Sequence, residues 1–289
     1  MRLDDERQSS NIEDRRGSGG GGRAPIRIGS IGGLVLVLGA LYFGVDPRLV
    51  LNLLEGGAPS AGSGSMVAQQ GPAPGNDAQK RFISSVLAST EDVWTSYFQQ
   101  MGRTYHEPHL VLFSGGEPSG CGYAQTSVGP FYCPADHKVY LDLAFFQELQ
   151  GRLGAGGDFA KAYVVAHEIG HHVQNELGIM QQAQTQRSSL SETGEGGVSV
   201  RIELQADCFA GVWAKRANDA KQILQTGDVE QGMNAAAAVG DDRLQKMARG
   251  YAVPDSFTHG TSAQRVQWFR RGLNSGDIRQ CNTFGSPSL

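Results

Sequence analysis

The sequence predicts an α+β fold, a small sheet followed mostly by helices, preceded by one transmembrane helix. Three observations carry this: an uncharged apolar run at 28–45, short β-prone segments between about 109 and 143, and helical periodicity over most of the chain from about 158 onward. The 289-residue chain has a net charge of −4, so no basic excess points to nucleic acid as a partner. Its 40 glycines cluster in runs such as GSGGGG at 17–22 and GGAPSAGSGS at 56–65, the composition of loops and linkers rather than of a repeat.

Taken in order, residues 1–27 are polar, Gly-rich and of mixed charge. They lack the apolar surface to fold alone and predict a disordered cytoplasmic tail. Residues 28–45, IGSIGGLVLVLGALYFGV, carry no charge. As a helix they would extend about 27 Å, the hydrocarbon thickness of a bilayer. Arg15, Arg16, Arg23 and Arg27 precede this run, while Asp46 and Arg48 behind it largely cancel. The positive-inside bias predicts a single-pass protein of the cytoplasmic (inner) membrane, N-terminus in the cytoplasm and the following domain periplasmic or extracellular. No small-x-small site follows, which favours an uncleaved anchor over a signal peptide. Residues 46–78 read as a flexible Gly/Pro/Ser linker, and residues 79–289 as the globular domain.

Within that domain, apolar spacing from Phe82 to Phe98 suits one or two helices, and HLVLFSG a short strand. KVYLDL, Lys138 to Leu143, alternates like a half-buried strand. Helices are expected around Phe145–Gln150, from Asp158 to about Leu177 with Gly178 as stop, from about Ser199 to Asn218, over Val229–Arg249 and over Ser262–Leu273. The cysteines, Cys121, Cys133, Cys208 and Cys281, all follow the apolar run and form no CxxC pair. Of three possible pairings, Cys121–Cys133 and Cys208–Cys281 are favoured, the first stapling a local hairpin and the second tying the chain's end to a helix. Buried free thiols are the alternative.

The chemistry concentrates in VVAHEIGHHVQNEL, residues 164 to 177. His167 and His171 stand four apart in a predicted helix, so both imidazoles face one side and can hold one ion. Zinc suits neutral imidazole, and a catalytic site takes three protein ligands. Glu168 beside them is the candidate general base toward a zinc-activated water. Glu203, 36 residues beyond His167 and on another helix, is the predicted third ligand. Asp207, one turn on, is placed to accept the free ring N–H of a ligand histidine. His172 points about 100° away from His171 and reads as a packing residue, and Glu176 as a solvated one. His106, His109 and His137 lack partner spacing, Tyr163 and Trp213 read as core, and Tyr140 as core or cleft lining.

HExxH followed by a helix bearing ExxxD resembles the gluzincin zinc metallopeptidases. The wider run, VYLD, AHEIGHHVQ, ELQADCFAG and HGTSAQRVQWF, resembles the bacterial neutral zinc metallopeptidase family, and does so over essentially the whole chain. The resemblance implies a zincin-like domain, one Zn(2+) per chain, and a membrane-anchored metalloendopeptidase acting on peptide or protein substrates. THGTSAQRVQWF further resembles the late His…Arg element of membrane-associated gluzincins, which implies that His259 stabilises the oxyanion and that Arg265 pairs with Asp207 or a nearby carboxylate. Gly260 stands where such relatives commonly have proline. The competing reading is a zinc-containing protease-like scaffold that binds partner proteins without cleaving them. An extended substrate is expected to add as a strand along KVYLDL.

Overall fold

The computed structural model describes residues 1–3, 6–17, 77–125, 129–186, 190–286 and 289. It is an α+β arrangement with eight α-helices among the described residues. The main sheet has the order β1 (Ile12–Asp14), β2 (His109–Phe113), β6 (Lys138–Asp142), β5 (Phe131–Cys133). β1 and β6 both run parallel to β2, and β5 runs antiparallel to β6. A separate hairpin, β3 (Gly116–Ser119) with β4 (Gly122–Gln125), projects from the connection between β2 and β5. KVYLDL is therefore a strand, but an inner one with Leu110 beside Val139 on one flank and Tyr132 beside it on the other. Its backbone groups are already paired, so substrate cannot add along it; β5 is the edge on that side and β1 the edge on the other.

Helix α1 (Ala78–Gln100) is one continuous element, capped by Asp77, whose carboxylate accepts from Gln79 N and Lys80 N at 3.0 and 3.1 Å. α2 (Ala144–Gly151) precedes α3 (Asp158–Glu176), and α4 (Ile179–Gln186) forms inside the polar stretch that follows. α5 (Val198–Lys221) runs beside α3, and then come α6 (Asp228–Ala238), α7 (Asp241–Arg249) and α8 (Ser262–Ser275). The single helix expected over Val229–Arg249 is thus two. Both sides of the break are stitched to the start of α8: Ser262 Oγ donates to Ala237 O at 2.8 Å, and Ser262 N to Asp242 Oδ1 at 2.7 Å. Trp94, Trp213 and Trp268 are fully buried among these helices, Trp213 donating from Nε1 to Ser89 Oγ at 3.2 Å.

Two expectations at the N-terminus are corrected. Residues 6–17 are not a disordered tail. They form β1 and pack on α1, where Ser9 Oγ and Asn11 Nδ2 donate to Glu91 at 2.5 and 2.9 Å and Arg7 Nη2 pairs with the same carboxylate at 2.8 Å. Glu91 is 1% exposed, a burial tolerated because these groups satisfy it. The segment cannot fold alone, but it needs only to add to a surface that already exists. The second correction concerns the membrane. Among the described residues no helix is long and apolar enough to cross one, so the transmembrane helix of the predicted fold class and the single-pass inner-membrane localisation do not stand. The apolar run 28–45 and the rest of the linker to residue 76 lie outside the described residues. Chain on either side of that run shares one sheet, Glu13 opposite Val111, which is incompatible with placing the N-terminus and the domain on opposite faces of a bilayer. Eighteen uncharged positions give length and polarity; they carry no information on where the flanking chain pairs.

Both favoured disulfides form. Cys121–Cys133 ties the β3–β4 turn to β5, and Cys208–Cys281 ties α5 to the 3-10 turn Ile278–Cys281.

Candidate metal centre

Helix α3 presents His167 and His171 on one face because they are four residues apart, and α5 presents Glu203 and Asp207 for the same reason. The two helices meet closely at Gly170. A Cβ there would lie 2.9 Å from Ala206 O and 3.1 Å from its Cα, so only glycine lets the backbones approach this far. At that separation one ligand atom from each of His167, His171 and Glu203 falls within 4.8 Å of the others, making the one His/Cys/Asp/Glu group suited to an ion among the described residues. Glu203 bridges the two imidazoles: Oε2 is 3.1 Å from His167 Nε2 and Oε1 is 3.3 Å from His171 Nε2.

The donor set fits a zinc ion. Both histidines direct Nε2 at Glu203, and each has its Nδ1 occupied elsewhere. His167 Nδ1 donates to Asp207 Oδ1 at 2.8 Å, and His171 Nδ1 to Gln174 Oε1 at 2.9 Å. Two nitrogens and a carboxylate are a hydrolytic zinc set, and the outward hydrogen bonds fix which nitrogen offers its lone pair.

Asp207 is fully buried and anchors a charged network. Arg265 from α8 grips it with two bonds, Nε to Oδ2 and Nη2 to Oδ1, each 2.9 Å. Tyr163 Oη donates to the same carboxylate and accepts from Arg265 Nη2 at 3.3 Å. Burial would raise the Asp207 pKa, but Arg265 and His167 hold it below the usual carboxylate range. Burial would likewise lower that of His167, yet Asp207 and Glu203 bring it up to about 10 in the ion-free site. Glu168 is 7% exposed, and burial raises its pKa against the pull of the two histidines and the Tyr132 backbone N–H. An acidic group held above its ordinary range beside the candidate ligands is poised to take up a proton.

A family model described as putative neutral zinc metallopeptidase matches residues 1–284. The chain belongs to this family. Among its relatives, uncharacterized protein YpfJ of Escherichia coli (strain K12) is 48% identical over 292 residues, covering 99% of each chain. Uncharacterized protein Rv2575 of Mycobacterium tuberculosis (strain ATCC 25618 / H37Rv) is 44% identical over 219 residues, covering 72% of this chain and 73% of that one. No solved structure matches the chain. The family match includes residues 1–17, so the strand that sequence patterning leaves unfolded lies inside the family's extent.

The remaining site residues sort by position. His259 is half-exposed and outside the three-ligand group, but near enough for its charge to act on that of Glu203. Its loop is held by Asp241 at the start of α7, which accepts from the backbone N–H of Thr258, His259 and Gly260 at 2.7, 2.6 and 3.1 Å and lies 3.2 Å from His259 Nδ1. Partial desolvation would lower the His259 pKa, and its contact with Asp241 and the nearby Glu203 charge raise it. Gly260 has φ +89°, a conformation that proline cannot adopt.

His172 is buried away from the site. Its Nε2 donates to His106 O at 2.7 Å, its Nδ1 accepts from Tyr132 Oη at 3.1 Å, and burial takes its pKa down to about 4. His106 instead sits 2.8 Å from Glu176, while His109 and His137 stay outside the group. Tyr140 is buried and donates to Asp136 at 2.7 Å. Tyr163, Gln174 and Asp241 are the functional neighbours that sequence reasoning misses. Tyr163 had a signal, because it stands one turn before His167 on the ligand face; Asp241 had none.

Proposed function

We propose that this chain is a zinc-dependent metalloendopeptidase, with His167, His171 and Glu203 holding one zinc ion and Glu168 serving as general base. The observation that carries the reading is the convergence of two imidazole nitrogens and a carboxylate beside a buried glutamate whose pKa is raised. When bound, zinc would acidify water and polarise a scissile carbonyl. Glu168 then accepts the proton of the attacking water and passes it to the leaving amine, which requires a carboxyl that both takes and releases a proton near neutral pH. Asp207, clamped by Arg265 and Tyr163, holds His167 in one orientation. His259, steadied by Asp241, supplies a donor toward the developing oxyanion.

Substrate alignment follows from the sheet. β5 is one of its two edge strands, and the Tyr132 N–H acts on the Glu168 carboxylate, so that edge lies beside the base. An extended peptide adding antiparallel to β5 would run past Glu168, which favours cleavage within a chain.

The test uses the full chain: metal content and peptide-library digestion of wild type and Glu168→Gln. The reading expects bound zinc in both and cleavage by wild type, reduced at least about 100-fold in the variant. Bound zinc with equally negligible cleavage by both would favour the non-cleaving scaffold instead.

A further inference from the structure

A ligand histidine must offer one bare ring nitrogen, and the hydrogen bond at its other nitrogen decides which. For His167 a carboxylate decides. For His171 the partner is a neutral amide, Gln174 Oε1, and an amide turned over would present its NH2 instead. What prevents the turn lies further from the site.

Gln174 Nε2 donates to Ile202 O at 2.8 Å and to Gln205 Oε1 at 3.0 Å. Gln205 Nε2 donates in turn to Cys281 O at 2.9 Å. Backbone carbonyls only accept, so Gln205 must turn its NH2 to Cys281 and its oxygen to Gln174. Gln174 must then turn its NH2 to Ile202 and its oxygen to His171. The proton of His171 is thereby placed on Nδ1 and the lone pair on Nε2, the nitrogen 3.3 Å from Glu203. Gln174 is 0% and Gln205 5% exposed, so water does not compete for these groups. Neither end of the relay is loose: Ile202 is in α5, and Cys281 is bonded to Cys208 of the same helix.

We propose that Gln174 and Gln205 are positioning residues for His171, a neutral relay that sets its tautomer from two backbone carbonyls. The proposal rests on the reading of His171 as a zinc ligand, and its test separates the two. NMR of the full-length, zinc-loaded protein reports which ring nitrogen of His171 keeps its proton. Competition with a chelating dye reports zinc affinity. Both are measured for wild type, Gln174→Met and Gln205→Met, with His167 as internal control.

Wild type is expected to carry the His171 proton on Nδ1. Gln174→Met is expected to show mixed tautomers at His171, an unchanged His167, and zinc affinity lower by about 10–100-fold. Gln205→Met should lose less, because Ile202 O still orients Gln174. A wild-type His171 protonated on Nε2 would overturn the relay even if neither variant folds. So would a folded Gln174→Met that matches wild type in tautomer and affinity. Failure of wild type to bind zinc would instead remove the metal reading, while a slowly exchanging His171 Nδ1–H, lost in Gln174→Met, still decides the relay and its absence from wild type overturns it.

Discussion

The helix pair α3/α5 and the sheet edge at β1 are joined by different means. Between the helices everything is close, buried and chemically specific: Gly170 against Ala206, Asp207 between His167 and Arg265. At the sheet edge a three-residue strand with two acidic side chains adds to β2 and is held by charges that are partly in water, Arg7 being 46% and Asp92 38% exposed along their side chains. The first arrangement concentrates energy in a few contacts that leave no substitute. The second spreads it over many weak ones. The difference teaches where damage is local and where it is graded.

The sharpest way to break the comparison is Arg265→Ala, which leaves Asp207 buried with only His167 and Tyr163. A loss of about 3–5 kcal/mol in unfolding free energy is expected from denaturant titration. Next is Gly170→Ala. Overpacking against Ala206 costs about 1–3 kcal/mol, offset by about 1 kcal/mol of better helix propensity. The same wedge separates the ligands, so zinc affinity should fall more than stability does. At the strand edge, Ser9→Ala removes one of three partners of Glu91 and should cost about 1 kcal/mol, with zinc affinity unchanged.

The smallest effect is a pH and salt response of the N-terminal segment. Burial would raise the pKa of Asp92 and Glu13, but Lys221 and Arg7 lower the first and Lys138 and Arg15 the second. Folded values below the unfolded ones near 4 mean that this contribution is complete above about pH 4 and lost as pH falls below it. NMR signals of residues 6–17 should therefore shift toward those of a free chain as pH falls below about 4. Added salt should loosen the segment at neutral pH while leaving the buried Asp207–Arg265 pair unaffected. Equal salt sensitivity of both regions would erase the contrast.

The same contrast explains what the sequence made legible. His167, His171, Glu203 and Asp207 could be located because helical spacing is short-range: four residues apart means one face, wherever the helix sits. Helix ends agree to within a few residues for the same reason. Long-range pairing leaves no such trace. KVYLDL reads correctly as a strand, yet nothing in it says that β5 rather than β6 ends the sheet. Ile12–Asp14 has no strand pattern, because its pairing is dictated by β2, almost a hundred residues later. The relay through Gln205 leaves no local trace, because its far acceptor, Cys281 O, is 76 residues away. The membrane assignment failed differently, since hydropathy describes a segment and topology depends on what its flanks pair with.

The central claim is that Glu203 completes a zinc site with His167 and His171. It is tested most directly by metal content and zinc affinity of the full chain as wild type, Glu168→Gln and Glu203→Ala. The account predicts one zinc per chain in the first two and loss of tight binding in the third. A Glu203→Ala protein that keeps one zinc per chain at wild-type affinity would contradict it.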